Sequence, residues 1–145
     1  MIPSPEPTPR VATPIHPSPF WRSLLLWGPV VAYCLLIFVL SSLSHVPDVA
    51  KGLSDKTAHV LLYSGLGFLV ARAVAGGLGE RFPGWVILAA VVLSVAYGLT
   101  DEAHQLFVPR RQFDPMDLAA DGVGAAAGAS LLWLWGIIAP TRRTE

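Results

Sequence analysis

The stretch Leu99–Asp121, LTDEAHQLFVPRRQFDPMDLAAD, decides how this chain folds, because it interrupts an otherwise apolar sequence. It contains half of the ten acidic residues of the 145-residue chain. The apolar run on either side is about 20 residues long, the length that a helix needs to cross a membrane. The stretch is therefore predicted to connect two membrane-spanning helices, with its charges at the membrane surface.

The composition favours a membrane protein over a soluble one. The chain is 53% hydrophobic and 14% charged, whereas soluble domains are about 25% charged, and its mean hydropathy is +0.55. The formal net charge of zero argues against nucleic-acid binding, which needs a concentrated basic surface. Cys34, the only cysteine, lies in an apolar run, which argues against a disulfide framework or a cysteine-based metal site.

Four apolar runs are present, from about Leu24 to Leu43, Thr57 to Ala75, Trp85 to Phe107 and Leu118 to Ala139. We expect an all-α membrane protein, a bundle of four transmembrane helices in one domain. The first run is too long for a cleaved signal peptide and lacks a small-residue cleavage site. It is expected to be a retained helix with a kink at Pro29. Gly124 and Gly128 form a GxxxG pattern, which favours close packing inside the bundle over dimerisation.

The two ends of the chain are predicted to lie outside this bundle. Residues 1–20 hold seven of the thirteen prolines and predict a disordered tail. Residues 21–140 would form the transmembrane domain and residues 141–145 a short cytoplasmic tail. With the N-terminus inside, six arginines lie near the helix ends on the cytoplasmic side, against four lysines and arginines on the other. We expect both termini in the cytoplasm, with the loops 44–57 and 107–117 facing outward.

Polar side chains recur every four residues near this outer face, a spacing that places them on one side of a helix. The three series are Asp55, His59 and Tyr63; Tyr97, Asp101 and Gln105; and Asp117 and Asp121. His104 follows Asp101 by three residues and lies beside it. With the predicted topology, the three series converge on one end of the bundle.

Asp101, Glu102 and Asp121 are the acids that local structure explains least. Asp101 and Glu102 lie in the last turns of the third helix, where the helix dipole disfavours anions, and Asp121 lies a turn inside the fourth. A charge inside a membrane helix costs about 2–3 kcal/mol at full depth, so a basic residue, a metal or a bound proton must offset it. A structural ion-pair network and a functional site are both open interpretations. Asp114 and Ser54, by contrast, are each placed to cap the helix that follows.

The residue types at this end suggest two kinds of chemistry. Arg110 and Arg111 offer planar guanidinium groups suited to a phosphate or carboxylate headgroup. Histidine beside carboxylates can transfer protons near neutral pH, so the candidates for catalysis are His59, Asp101, Glu102 and His104, although no motif specifies a reaction. A divalent cation held among Asp55, His59, Asp101, Glu102 and His104 is an alternative. No metal-binding spacing is present, however, and we expect no metal and no cofactor.

Two segments resemble the VanZ-like family of bacterial membrane proteins: DKTAHVLLYSGLG from Asp55 and DEAHQLFVPRRQFDPMDLAADGVGAAAG from Asp101. The family pattern is D-K-x-x-H-x-x-x-Y, then D-E-x-x-Q-x-F-x-P-x-R and D-x-x-A-[ND]-x-x-G. The resemblance implies a substrate-binding set of Asp55, Lys56, His59, Tyr63, Asp101, Glu102, Gln105, Arg111, Asp117 and Asp121. The chain departs from the pattern at Arg110, where the family often has glycine. At position 121 the family accepts either Asn or Asp, so a neutral side chain can serve there.

This resemblance implies a place in the bacterial cytoplasmic membrane and an association with low-level resistance to teicoplanin, a glycopeptide that acts on cell-wall precursors. We expect an outward-facing polar site that binds or acts on an envelope lipid or a lipid-linked cell-wall precursor. The alternative is a non-enzymatic accessory or partner subunit whose charged cluster is structural. Whether the protein is an enzyme, a homo-oligomer or the subunit of a membrane partner stays open. Transport is disfavoured, because the four helices show no inverted repeat.

Overall fold

The computed structural model describes residues 18–43, 54–78, 82–109 and 111–138. They form four helices, which are α1 (Pro19–Ser41), α2 (Asp55–Ala75), α3 (Trp85–Gln105) and α4 (Pro115–Ile138). Each helix is long and apolar enough to cross a membrane, and the described residues contain no strand, which confirms the predicted all-α bundle. α1 begins at Pro19, within the segment 1–20 that the sequence predicts as a tail. Residues 1–17 and 139–145 lie outside the described residues, as does the predicted tail at 141–145.

The helix ends follow the capping signals of the sequence. The side chain of Ser54 accepts a hydrogen bond from the N–H of Thr57 at 3.2 Å and begins α2. Asp114 Oδ1 accepts from the N–H of Met116 at 2.8 Å and begins α4. Gly76 follows the last residue of α2 and caps it with a φ of 82°, a left-handed backbone conformation that would be strained in a residue with a side chain. Both predicted caps are therefore confirmed.

α2 and α4 pack most extensively of all the helix pairs, and glycines allow this close approach. A Cβ atom added at Gly124 would collide with the backbone of Val60, and one added at Gly128 would collide with the backbone of Ser64. Small residues let helix backbones approach closely in membranes, where packing replaces the hydrophobic driving force. The GxxxG pattern thus serves packing inside the bundle, as predicted.

Backbone carbonyls of α1 accept hydrogen bonds from side chains of two other helices, and these bonds help to attach α1 to the bundle. Pro29 has no N–H, so the carbonyl of Leu25 loses the partner that it would have in a regular helix. The guanidinium of Arg72 donates to that carbonyl at 3.2 and 3.3 Å. Tyr97 donates its hydroxyl to the carbonyl of Cys34 at 2.6 Å. These bonds connect α1 to α2 and to α3.

Large apolar side chains cover the outside of the bundle. Leu25, Leu88 and Leu131 are 61%, 65% and 62% exposed, a pattern that would be unfavourable in water over so large a surface and that suits contact with lipid chains. The buried polar side chains instead gather inside the bundle and mostly at one of its ends. This distribution is what a multi-pass membrane protein requires.

Candidate functional site at the polar end of the bundle

The last turns of α1 and α3 meet the first turns of α2 and α4, and we call this region the polar end. It contains the carboxylates that are 4% exposed or less, namely Asp101, Glu102, Asp117 and Asp121. A buried carboxylate is costly unless hydrogen bonds or opposite charges compensate it. The partners of each carboxylate therefore indicate what this end of the bundle can bind.

Asp101 is held by neutral donors. Ser41 donates its hydroxyl to Asp101 Oδ1 at 2.6 Å, and Gln105 donates its side-chain amide to Oδ2 at 3.2 Å. The sequence predicts a cation, a metal or a proton beside this residue, yet both recorded partners are uncharged. Ser41 closes α1 and was not among the predicted site residues; its position at the end of an apolar run is the signal that could have identified it.

Lys56, in the first turn of α2, contacts two carboxylates at the beginning of α4. Its ammonium donates to Asp114 Oδ2 and, at 2.5 Å, to Asp117 Oδ1. The hydrogen bond from Lys56 lowers the pKa of the Asp114 carboxyl below its ordinary value. Asp114 therefore has a second role besides the cap that the sequence predicts.

His59 lies between two carboxylates of α4. Its Nδ1 is 2.8 Å from Asp121 Oδ1, whereas its Nε2 is 3.8 Å from Asp117 Oδ2, too far for a hydrogen bond. The ring of Tyr63, one turn deeper on α2, stacks on the imidazole with centroids 6.2 Å apart. The first and third polar series of the sequence thus meet at His59.

The carboxylate of Asp121 packs against Gly98 of α3, where a residue with a side chain would collide with it. A Cβ atom added at Gly98 would lie 2.5 Å from Asp121 Oδ2. Among the described residues, neither this oxygen nor the hydroxyl of Tyr63 has a hydrogen-bond partner. Gly98 was missed in the sequence, where no signal distinguishes it from the glycines used for helix packing.

Glu102 is buried, and one of its two carboxylate oxygens accepts a hydrogen bond. Its Oε2 accepts from the N–H of Asp114 at 3.0 Å, so α3 is connected to the residue that caps α4. Its Oε1 has no partner within the described parts of the chain, although the residue is only 1% exposed. A buried acid in this state needs a proton or a nearby cation.

A cavity of about 350 Å³ lies beside these carboxylates at the polar end. It is lined by Asp55, Gln105, Arg111, Gln112, Phe113, Asp114 and Asp117. Arg111 Nη1 is 3.6 Å from Asp55 Oδ1, so the arginine pairs with α2 and not with the acids of α3. Gln112 and Phe113 were not predicted as site residues, because neither belongs to a polar series on a helix.

His104, a predicted catalytic candidate, and Tyr97, a member of the second polar series, both contact α1. His104 contacts α1, where its Nε2 is 3.1 Å from Ser42 Oγ and its ring centroid is 4.5 Å from that of Phe38. The hydroxyl of Tyr97 donates to the backbone carbonyl of Cys34. Arg110 lies outside the described residues.

One set of side chains has the arrangement of metal ligands. Asp55, His59 and Asp117 each present one ligand atom, and these atoms lie within 4.8 Å of one another. The set brings together two residues from α2 and one from α4, whereas the sequence alternative drew partly on α3. Spacing along a single helix could not have revealed it.

A family model described as VanZ/LLP1 matches residues 16–136 of the chain. No curated protein and no solved structure matches it significantly.

Proposed function

We propose a function for this chain, which belongs to the VanZ/LLP1 family of multi-pass membrane proteins. Its polar end binds the headgroup of an envelope lipid or a lipid-linked cell-wall precursor. In this proposal the protein lies in the bacterial cytoplasmic membrane with both termini in the cytoplasm. The polar end then faces outward, where glycopeptides such as teicoplanin meet their targets. Low-level teicoplanin resistance would follow from binding or altering such a lipid.

The observation that carries the proposal is the cavity of about 350 Å³, which lies within the range of small-molecule sites in proteins. It lies at the end of four helices whose outer surfaces are apolar. A lipid could therefore keep its chains beside the bundle while its headgroup enters the cavity.

The cavity offers donors and acceptors for a polar headgroup. Arg111 lines it and presents a planar fork that matches phosphate or carboxylate. The amides of Gln105 and Gln112 add groups that can donate or accept. Lys56 contacts Asp114 and Asp117, two further residues of the wall, and is close enough to contribute positive charge.

The test is lipid retention by the purified full chain. Native mass spectrometry should find a polar lipid on the wild type, and about tenfold less on Arg111→Ala and Gln105→Ala at equal membrane abundance. Arg22→Ala is the matched control, because Arg22 lies beside Gly76 at the opposite end of the bundle. Equal retention by all four proteins, or no selective retention by the wild type, would reject the proposal.

A drug-susceptibility measurement tests the resistance part of the proposal. A sensitive Gram-positive host expressing the wild type should tolerate more teicoplanin than a host expressing Asp101→Asn or Arg111→Ala. Arg22→Ala should protect as the wild type does. If the wild type gives no protection, the resistance role is wrong even where lipid retention holds.

The second candidate is a non-enzymatic accessory subunit whose charged cluster holds the bundle together. The observation in its favour is that several charges are paired within the chain, as in Lys56 with Asp117 and His59 with Asp121. This function predicts that Arg111→Ala leaves no lipid phenotype and that a specific membrane protein co-purifies. A stable, lipid-loaded monomer would count against it.

A further inference from the structure

We propose that Asp55, His59 and Asp117 bind a divalent first-row transition-metal cation of the Mn²⁺ or Zn²⁺ type at the edge of the cavity. The ligand atoms of the three side chains lie within 4.8 Å of one another. One imidazole nitrogen with two carboxylates suits these cations better than Ca²⁺ or Mg²⁺, which prefer oxygen ligands alone.

The distance between His59 and Asp117 suits a shared cation. Nε2 and Oδ2 are 3.8 Å apart, longer than a hydrogen bond. Two ligands that each approach a metal to about 2.0–2.2 Å lie roughly 3–4 Å from each other. The gap therefore matches two positions in one coordination shell.

Asp121 prepares the histidine for this role. It lies 2.8 Å from Nδ1, so a hydrogen bond from Nδ1–H leaves the lone pair on Nε2, which faces Asp117. Histidines that bind metals commonly donate their other nitrogen to a carboxylate in this way. Asp121 is fully buried and too far inside α4 to be explained as a helix cap, and orientation of His59 gives it a function.

Glu102 is a further buried acid at this end of the bundle whose charge is not compensated by a described partner. It is 1% exposed and its Oε1 has no partner among the described residues. Its other oxygen accepts from the N–H of Asp114, the residue that caps the helix carrying Asp117, so Glu102 lies at the same end of the bundle as the proposed metal. A cation there would compensate an acid that its single backbone hydrogen bond leaves half satisfied.

Lys56 leaves one oxygen of Asp117 available. The ammonium contacts Oδ1 at 2.5 Å, whereas Oδ2 is the oxygen that faces His59. Asp117 can therefore accept from the lysine and bind a metal with different oxygens. Asp55 is the exposed ligand, with 54% of its side chain accessible, and would open the site toward the cavity.

The metal would also explain how an acidic cavity accepts an anionic headgroup, an extension that rests on the proposed function. The wall carries the carboxylates of Asp55, Asp114 and Asp117, which outnumber the two nearby cations, the guanidinium of Arg111 and the ammonium of Lys56. A phosphate would be repelled by this excess of acid unless a divalent cation lay between, as it does where metals bind phosphates through one or two carboxylates. We therefore infer a phosphorylated headgroup as the ligand class.

The experiment measures binding of Mn²⁺ and Zn²⁺ to the purified, chelator-treated full chain, by electron paramagnetic resonance for Mn²⁺ and by titration calorimetry for Zn²⁺. We expect one site per chain, with affinity at least about tenfold weaker in His59→Gln and Asp55→Asn. His104→Gln is the matched control, because it is a histidine of the same end that lies against α1, and it should bind as the wild type does. Ca²⁺ should compete poorly.

Asp55→Asn keeps the test decisive if substitution of buried His59 unfolds the chain, because Asp55 is largely exposed. Equal metal affinity in Asp55→Asn and the wild type, or no binding by the wild type, overturns the metal site. Lipid retention is then measured with and without chelator. Retention that survives metal removal overturns the bridging role and leaves the proposed function intact. Metal binding without lipid retention leaves the metal site intact and rejects the proposed function.

Discussion

Arg72 donates both terminal nitrogens of its guanidinium to the carbonyl of Leu25, at 3.2 and 3.3 Å. In a regular helix this carbonyl would accept a hydrogen bond from the N–H of residue 29, four residues later, but Pro29 has no N–H. A charged side chain of α2 thus completes the backbone of α1. This pairing explains how a proline is accommodated in a membrane helix, where an unsatisfied carbonyl is costly.

Replacement of Arg72 by Ala should lower the free energy of unfolding by about 1–3 kcal/mol, because the Leu25 carbonyl loses its donor. In a Pro29→Ala background the cost should be smaller, since the backbone N–H of residue 29 then satisfies that carbonyl. Unfolding by a denaturing detergent, measured as a double-mutant cycle, gives the coupling. Costs that simply add would show that Arg72 does not compensate the proline.

Gly128→Ala should destabilise the bundle by about 1–3 kcal/mol, because the new methyl group meets the backbone of Ser64 and forces α2 and α4 apart. Gly122→Ala is the control in the same helix, where the added Cβ would lie 3.5 Å from a side-chain carbon of Val95, an ordinary contact. Thermal unfolding in detergent should separate the two variants. Similar melting temperatures would show that the helix interface tolerates expansion.

Asp121→Asn should fold and keep His59 oriented, because the amide oxygen can accept from Nδ1–H as the carboxylate does. Asp121→Ala removes the acceptor and should cost about 1–3 kcal/mol of stability through the unpaired imidazole. Chemical shifts of the His59 ring nitrogens would report whether the tautomer is kept. An equal tautomer mixture in both variants would mean that Asp121 does not orient the histidine.

The ion pair of Lys56 and Asp114 should make stability depend on pH at the acid end. Because Lys56 lowers the pKa of Asp114 from its ordinary value of 3.8, the pair stabilises the fold above that value. The contribution is lost as the pH falls through the lowered pKa. The difference in unfolding free energy between wild type and Asp114→Asn, measured from pH 6 to about pH 2, should shrink toward acid. A constant difference would contradict this.

Much of the fold could be predicted because each helix is marked locally. Apolar length identifies the spans, Ser54 and Asp114 mark two beginnings, and the four-residue spacing of Asp55 and His59 places them on one side of α2. The sequence also contains the motif that identifies the family. These features are properties of short segments, so no knowledge of the neighbours is needed to recognise them.

Which polar side chains meet at this end of the bundle depends on how the helices pack. Proximity along the chain suggested His104 as a neighbour of Asp101, but the packing of α1 against α3 brings Ser41 to Asp101 and Ser42 to His104. The pairing of His59 with Asp121 depends on glycines that let α2 and α4 approach. Contacts between side chains 60 residues apart are set by helix rotation and separation, which the packing of the whole bundle determines.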